Sequence, residues 1–566
     1  MIDLKAKPFH LNEEGIQWVA DTLASMDLVT KVGQLFCPIG FTDEKEHLAQ
    51  LTKGVKIGGI MYRPGPGDKV QETHRYLQET SDIPLLIAAN LEAGGNGSAV
   101  DGTFFGKQLQ VAATDNTEMA RKLGTIAARE GGAVGCNWAF APILDIDYNF
   151  RNPITNVRTF GSDPERVARM SKAYTEAIQE HGMAVSIKHF PGDGVDERDQ
   201  HLLTSINSLS IEEWDATFGK VYQDCIEAGA HTVMVGHIAH PAYSRHLRPG
   251  IEDTEIMPAT LAPELLNGLL REKLGFNGLI TTDATPMAGF TMAMKRELAV
   301  PTSIAAGCDM FLFNKSLEED FAYMMKGIEN GILTEARVDE AVTRILGVKA
   351  ALGLHRKKQE GTLVPGKEAL SVLRCEEHVR WAQECADQSV TLVKDTQQLL
   401  PISPERHKRL LLFTLGGEEG LFGGTDVAPY FISKLEAEGF EVKLYDKKNI
   451  DLSAMFSGVK ALTDHYDAAV YFSSLETHSN QTVVRINWAP PFGSDMPWFI
   501  PELPTVFISV ANPYHLLDVP RVPTFINAYS PSDYVVDALI EKLLGRSSFT
   551  GVNPIDPFCG YWDTRL

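Results

Sequence analysis

The chain has 566 residues, more than a single hydrophobic core accommodates, so two or three domains are expected. Its 44% hydrophobic and 22% charged residues are those of a globular protein and exclude a disordered or fibrous one. The formal net charge of -22 is spread along the chain, which disfavours nucleic acid and anionic membrane as main partners and suits a small neutral or weakly charged substrate.

From about residue 30 to residue 350, short apolar runs alternate with helical patterns. The runs are VKIGGIM (55–61), PLLIAAN (84–90), NWAFAPILDID (137–147), AVSIKH (184–189), HTVMVGH (231–237), GLITTD (278–283) and CDMFLF (308–313). SDPERVARMSKAYTEAIQEHG begins at Ser162/Asp163 and stops at Gly182. Ser210 and Glu213 form a capping-box pattern ahead of IEEWDATFGKVYQDCIEAG, which stops at Gly229. Such alternation predicts an α/β protein whose residues 1–355 form a TIM-like (β/α) barrel. Residues 356–385 read as a charged linker and connecting helix. A second alternation over 386–566 (SVTLVK, KRLLLFTL, FEVKLYD, YDAAVYFSS, TVFISVAN, TFINAY) predicts a smaller α/β sandwich domain with an open sheet. The glycine-rich LGGEEGLFGG (415–424) lacks the Lys-Ser/Thr of a phosphate loop and reads as a turn.

Seven scattered cysteines, with no CxxC pair and an odd total, do not make a disulfide framework and point to a reducing compartment. The MIDLKAKPFHLNEEG start has no continuous apolar run, and no stretch is long enough to span a bilayer. The expected location is cytoplasmic.

Polar groups gather where the barrel runs end: Asn90, Asp145, Lys188-His189, His237, Asp283 and Asn314-Lys315. One such residue is usually a turn or cap. Six ends, five with ionisable groups, fit better with an active-site mouth, where the C-terminal strand ends of a barrel converge. Two segments stand out. KHFPGDGVDERDQHL (188–202) is a long polar loop after a strand, with Asp199 close enough to His201 to hold its ring in one tautomer. GFNGLITTDATPM (275–287) places Asp283 at the end of a buried run, where an uncompensated carboxylate is costly; Lys188 and Arg158 are the candidate cations. His237 is expected to line the pocket and His240 to lie at the surface. No metal-ligand pattern appears around them.

In combination these segments resemble glycoside hydrolase family 3, within it the β-N-acetylglucosaminidase branch. KHFPGDG is similar to the family's KHFPGHG-type motif, DQH (199–201) to the branch's Asp-x-His dyad, and TTDATPM to the nucleophile-bearing Ser-Asp-x-x-x-Met. NPITNVRTFGSDP (152–164), MDLVTKVGQLF (26–36) and SVTLVKDTQQLLPI (389–402) carry the likeness over nearly the whole chain. The resemblance implies an exo-acting, retaining double displacement on terminal β-linked N-acetylglucosamine, in turnover of cell-wall or chitin-derived sugars. Asp283 would be nucleophile and His201, with Asp199, acid/base; Lys188, His189 and Arg158 would hold sugar hydroxyls. The family's Asp-x-Glu-Gly-Gly is altered here to AANLEAGGNG, with Asn90 in the sugar-binding position and Ala93 after Glu92. An amide in place of a carboxylate, and an imidazole acid/base, suit an anionic acceptor, so inorganic phosphate is an expected co-substrate. No metal or organic cofactor is implied. The expected partners are a small-molecule or oligosaccharide substrate and no nucleic acid or membrane, with a homodimer as the candidate assembly. The alternatives are a β-glucosidase of the same family, which would leave the dyad idle, and a sugar-binding protein on a retired scaffold.

Overall fold

The computed structural model describes residues 2–417, 426–446, 458–482, 485–490 and 493–566. Contacts divide the chain into two units. One comprises Met1–Phe105, Ala120–Thr155 and Pro164–Val379; the other Gly106–Met119, Asn156–Asp163 and Arg380–Leu566. Most of the 415–424 segment lies outside the described residues.

The first unit holds β1 (Phe36–Cys37), β2 (Ile39–Gly40), β3 (Gly59–Tyr62), β4 (Leu86–Ala89), β5 (Trp138–Ala139), β6 (Ala184–Phe190), β7 (Ser205–Ile206), β8 (Thr232–Val235), β9 (Ile238–Ala239), β10 (Leu279–Thr282) and β11 (Phe311–Leu312). One parallel sheet runs β10-β8-β6-β5-β4-β3-β2, and β1 pairs with β11. Because β1 and β2 are one strand interrupted at Pro38, and Thr281 bridges Met310 just before β11, the ring closes into a barrel. Helices cover the outside of the ring and side chains fill it, which is why β4, β8 and β10 are buried at every residue and read as unbroken apolar runs.

The helix expected after Ser210 has its capping box: Ser210 accepts from the Glu213 N–H and the Glu213 carboxylate from the Ser210 N–H. It is not uniform, however. A π-helical segment, Asp215–Gly219, separates Ile211–Trp214 from Lys220–Glu227. The fully buried Trp214 donates its indole N–H to the Pro191 carbonyl at 2.8 Å, and a Cβ on Gly219 would press on that ring, at 2.9 Å. Glycine there leaves the widened turn room to seat the indole.

Beneath the ring, the fully buried Asp309 gathers three arginines from flanking helices. Its carboxylate lies 2.7 Å from Arg271, 2.7 Å from Arg337 and 3.3 Å from Arg344, and also accepts the Ile280 N–H of β10 at 2.9 Å. Burial pushes its carboxyl up, but the three guanidiniums outweigh that and hold it below the usual range.

The second unit is a sheet of β12 (Thr391–Asp395), β13 (Arg409–Gly416), β14 (Glu441–Leu444), β15 (Ala468–Ser474), β16 (Thr505–Ser509) and β17 (Thr524–Asn527), in the order β12-β17-β16-β15-β13-β14. All pairs are parallel except β12 with β17. A core on each face makes this the predicted α/β sandwich: Phe431, Leu435, Val536 and Leu539 lie on one side, Phe413, Tyr471, Phe499 and Phe507 on the other. The seven cysteines are free thiols, and among the described residues no helix is long and apolar enough to cross a membrane.

Replacing Asp309 by Ala strands three buried or half-buried guanidiniums. The barrel should lose about 3–5 kcal/mol, the cost of removing one partner from a buried ion cluster. Urea unfolding followed by tryptophan fluorescence measures this, and an unchanged midpoint would show that the cluster contributes nothing.

Candidate active site

The C-terminal strand ends of the barrel bring Lys188, His189, His237 and Asp283 together with the loop that carries Asp199 and His201. Asp283 follows β10; its N–H donates to the Val235 carbonyl at 2.9 Å and its carboxylate accepts the Ala284 N–H at 2.7 Å. Only 13% of its side chain is exposed.

His189 Nε2 stands 3.9 Å from Asp283 Oδ2, and its Nδ1 donates to Asp145 Oδ2 at 2.7 Å. Asp145 Oδ1 also accepts the backbone N–H of His189 at 3.1 Å and of Asp193 at 2.8 Å. His201 is held in the same manner. Asp199 Oδ1 accepts its ring Nδ1–H at 2.7 Å and its backbone N–H at 2.8 Å. Asp199 is fully buried while the His201 ring keeps a quarter of its surface open. Each imidazole thus turns a fixed Nδ1 to a carboxylate and leaves Nε2 for other business.

His237 is fully buried. Its Nε2 lies 3.0 Å from the Ala284 carbonyl, to which it donates, and its Nδ1 lies 3.1 Å from the Thr260 hydroxyl. Burial holds its basicity down, against the pull of Asp283. It therefore braces the Asp283 turn instead of offering a free nitrogen to the pocket, a correction to its expected place. For Asp283, burial pushes the carboxyl up, but the pull of His189, His237 and His201 and the Ala284 N–H outweigh it and hold the group below the usual carboxylate range.

Lys188 is not the cation of Asp283. Its ammonium, 3% exposed, needs a full carboxylate partner, and Glu92 supplies one at 2.7 Å. Glu92 is half-buried on the loop after β4, and Asn90 at the strand end is exposed. Arg158, the other expected cation, belongs to Asn156–Asp163 of the second unit. His240 is also corrected: β9 pairs with β7 and carries it inward, where it is fully buried, edge-on to Trp214 and Tyr243, and burial lowers its pKa to about 4. Among the described residues no group of three or more His, Cys, Asp or Glu is arranged to hold a metal ion.

The loop 191–204 keeps its shape by close packing. Gly192 and Gly194 take positive φ (116° and 107°), and a Cβ on Gly194 would overlap the Ile146 carbonyl. The Ala288 N–H donates to the His201 carbonyl at 3.0 Å, and a Cβ on Gly289 would sit 2.5 Å from the Gln200 carbonyl. The segment carrying Asp283 and the loop carrying His201 are thereby docked on each other. The sequence gives Asp145 no role beyond that of a polar strand end, and it does not single out Gln200. Asp145 was visible as an ionisable strand end; Gln200, an uncharged residue inside the dyad, gave no signal.

Barrel and site together define the class: a (β/α)-barrel enzyme with carboxylates and imidazoles gathered at its mouth. Residues 27–348 match the glycosyl hydrolase family 3 N-terminal domain. The chain is 50% identical over 569 residues, all of both chains, to a beta-N-acetylglucosaminidase/beta-glucosidase of Cellulomonas fimi. Among solved structures it is similar to beta-glucoside phosphorylase BglX, with a TM-score of 0.94, 46% identity and 99% of each chain covered. A family 3 beta-N-acetylglucosaminidase from Paenibacillus sp. str. FPU-7 shares the fold, with a TM-score of 0.79 at 23% identity over 95% of this chain and 100% of that one. The chain belongs to glycosyl hydrolase family 3, and is an enzyme of that family.

Replacing His189 by Asn removes the largest attraction on Asp283 and leaves burial less opposed. The carboxyl should then take up its proton at higher pH, so the acidic limb of the kcat/KM profile should move towards neutrality. A limb that stays in place would show that His189 does not act on Asp283.

Proposed function

We propose that the enzyme cleaves terminal β-linked N-acetylglucosamine or glucose by a retaining double displacement, and passes the sugar to phosphate as well as to water. The observation that carries this reading is the pairing of a buried, ionised Asp283 with an imidazole, His201, whose Nδ1 is committed to a buried carboxylate.

In the first step Asp283 attacks the anomeric carbon, the glycosidic C–O bond breaks, and the proton on His201 Nε2 goes to the departing oxygen. The positive charge building on the sugar ring faces a carboxylate, which is the electrostatic help an oxocarbenium-like transition state needs. In the second step a water or phosphate oxygen attacks the same carbon and the bond to Asp283 breaks. Water or the hydrogen phosphate ion gives its proton to His201 Nε2, which restores the acid, and with phosphate the sugar leaves as the 1-phosphate. Lys188, Glu92, Asn90 and His189 are proposed to hold the sugar. Bidentate and fixed donors of this kind restrict the bound geometry and so lower the barrier.

The case for phosphate is electrostatic. Once Asp283 is esterified and His201 has lost its proton, neither group facing the acceptor carries a negative charge. A carboxylic acid/base would be ionised at that stage and would repel each negative charge of an incoming phosphate by about 4 kcal/mol at about 4 Å and an effective dielectric constant near 20. The likeness to BglX, named a beta-glucoside phosphorylase, supports this reading. The choice of sugar stays double because the Cellulomonas fimi relative bears both activities in its name.

Aryl β-glucoside and aryl β-N-acetylglucosaminide should both be cleaved, with phosphate raising the rate and yielding sugar 1-phosphate. Product analysis that finds only free sugar in phosphate buffer would end the phosphorolysis proposal. Asp283→Ala should lower kcat by about three orders of magnitude or more while ligand affinity persists; unchanged turnover would remove Asp283 from the nucleophile's role.

A further inference from the structure

Between the two aspartate–histidine pairs lies a third acid. Asp193 is 1% exposed. Its Oδ1 accepts from Asn152 Nδ2 at 2.9 Å and from the Gly194 N–H at 2.7 Å; its Oδ2 accepts from Gln200 Nε2 at 3.3 Å. Gln200, fully buried between Asp199 and His201 in sequence, continues the chain of contacts. Its Oε1 accepts the backbone N–H of His237 at 2.8 Å, and its carbonyl accepts the Gly289 N–H at 3.3 Å. A backbone N–H only donates, so the orientation of the Gln200 amide follows, with Nε2 turned to Asp193. The path runs from Asn152 through Asp193 and Gln200 to the strand end that braces Asp283.

We propose that Asp193 is a positioning residue for proton transfer: through Gln200 it sets where the loop holds His201 relative to Asp283. The proposal rests on His201 being the acid/base group. Charge explains why an acid tolerates this place. The titratable groups facing Asp193 are Asp145 and Asp199, each committed as acceptor of an imidazole N–H, and Tyr222 from the helix behind. Burial, with the repulsion of those two carboxylates, pushes Asp193 up to about 8. Burial and that repulsion disfavour a third negative charge beside the two that the imidazoles need.

The asymmetry of the contacts also fits a positioning role. Neither oxygen of Asp193 bonds to either imidazole; both are used on neutral amides that belong to the loop's frame. Shortening Asp193 leaves His201 and Asp199 chemically intact but frees the residue between them.

The test compares two leaving groups on the sugar that the full-length enzyme turns over faster. A methyl β-glycoside needs a proton on its departing oxygen; a dinitrophenyl β-glycoside does not. Asp193→Ala and Gln200→Leu should each lower kcat/KM on the methyl glycoside by about 10- to 100-fold, within the range a general acid contributes, and by less than about threefold on the dinitrophenyl glycoside. The double variant should be no worse than the poorer single one, because the two act in series. His201→Gln serves as reference and should show the same split more strongly. Equal losses on both substrates, or none, in a folded Asp193→Ala would overturn the positioning role. Should that variant fail to fold, Gln200→Leu decides on the same terms. A His201→Gln enzyme that loses both substrates equally would instead overturn the acid/base assignment itself.

Discussion

A carboxylate at the end of a buried strand must be compensated, and the means of compensation at Asp283 shapes everything around it. No lysine or arginine ion pair serves it among the described residues: the nearby Lys188 is spent on Glu92. Compensation comes instead from imidazoles and one backbone N–H. Imidazoles turn and change tautomer unless held, so each working ring has its own buried aspartate: Asp145 for His189 and Asp199 for His201. Holding those aspartates in turn requires a loop that folds back on itself, with glycines at 192 and 194 where the chain takes positive φ. The glycine-rich loop and its acids are thus consequences of burying one charge.

The same constraint bears on the proposed chemistry. Net negative charge in the site is kept low by pairing Asp145 and Asp199 with imidazoles and by placing Asp193 where burial and its acidic neighbours disfavour a further charge. A mouth arranged in this way admits an anion more readily than one in which a second carboxylate faces the sugar. That charge balance is the ground on which phosphate is proposed as an acceptor beside water, and the name of a 46% identical structure supports the proposal.

Much of this was legible in the sequence because it rests on local pattern. Barrel strands appear as apolar runs, since both faces of each are covered, and so do the inner strands of the second sheet; β14, at its edge and largely exposed, showed only as the alternating FEVKLYD. The Asp199–His201 contact was readable because the two residues are neighbours in the chain. What escaped depended on tertiary placement. The partner of Lys188 is 96 residues away, and the partner of His189 is 44 away. His240 looked like a surface residue because GHIAHP carries no clue that β9 would pair with β7 and turn it inward. The break at Asp215–Gly219 escaped because an apolar stripe is the same in an α-helix and in one widened by a single turn.

The most direct test of the central claim is to trap the glycosyl-enzyme. Incubation with a deoxyfluoro sugar that carries a good leaving group, followed by peptide mass spectrometry, should place one sugar on Asp283, and phosphate should speed its release. A label on another residue, or rapid turnover with no covalent adduct at any time, would contradict the account.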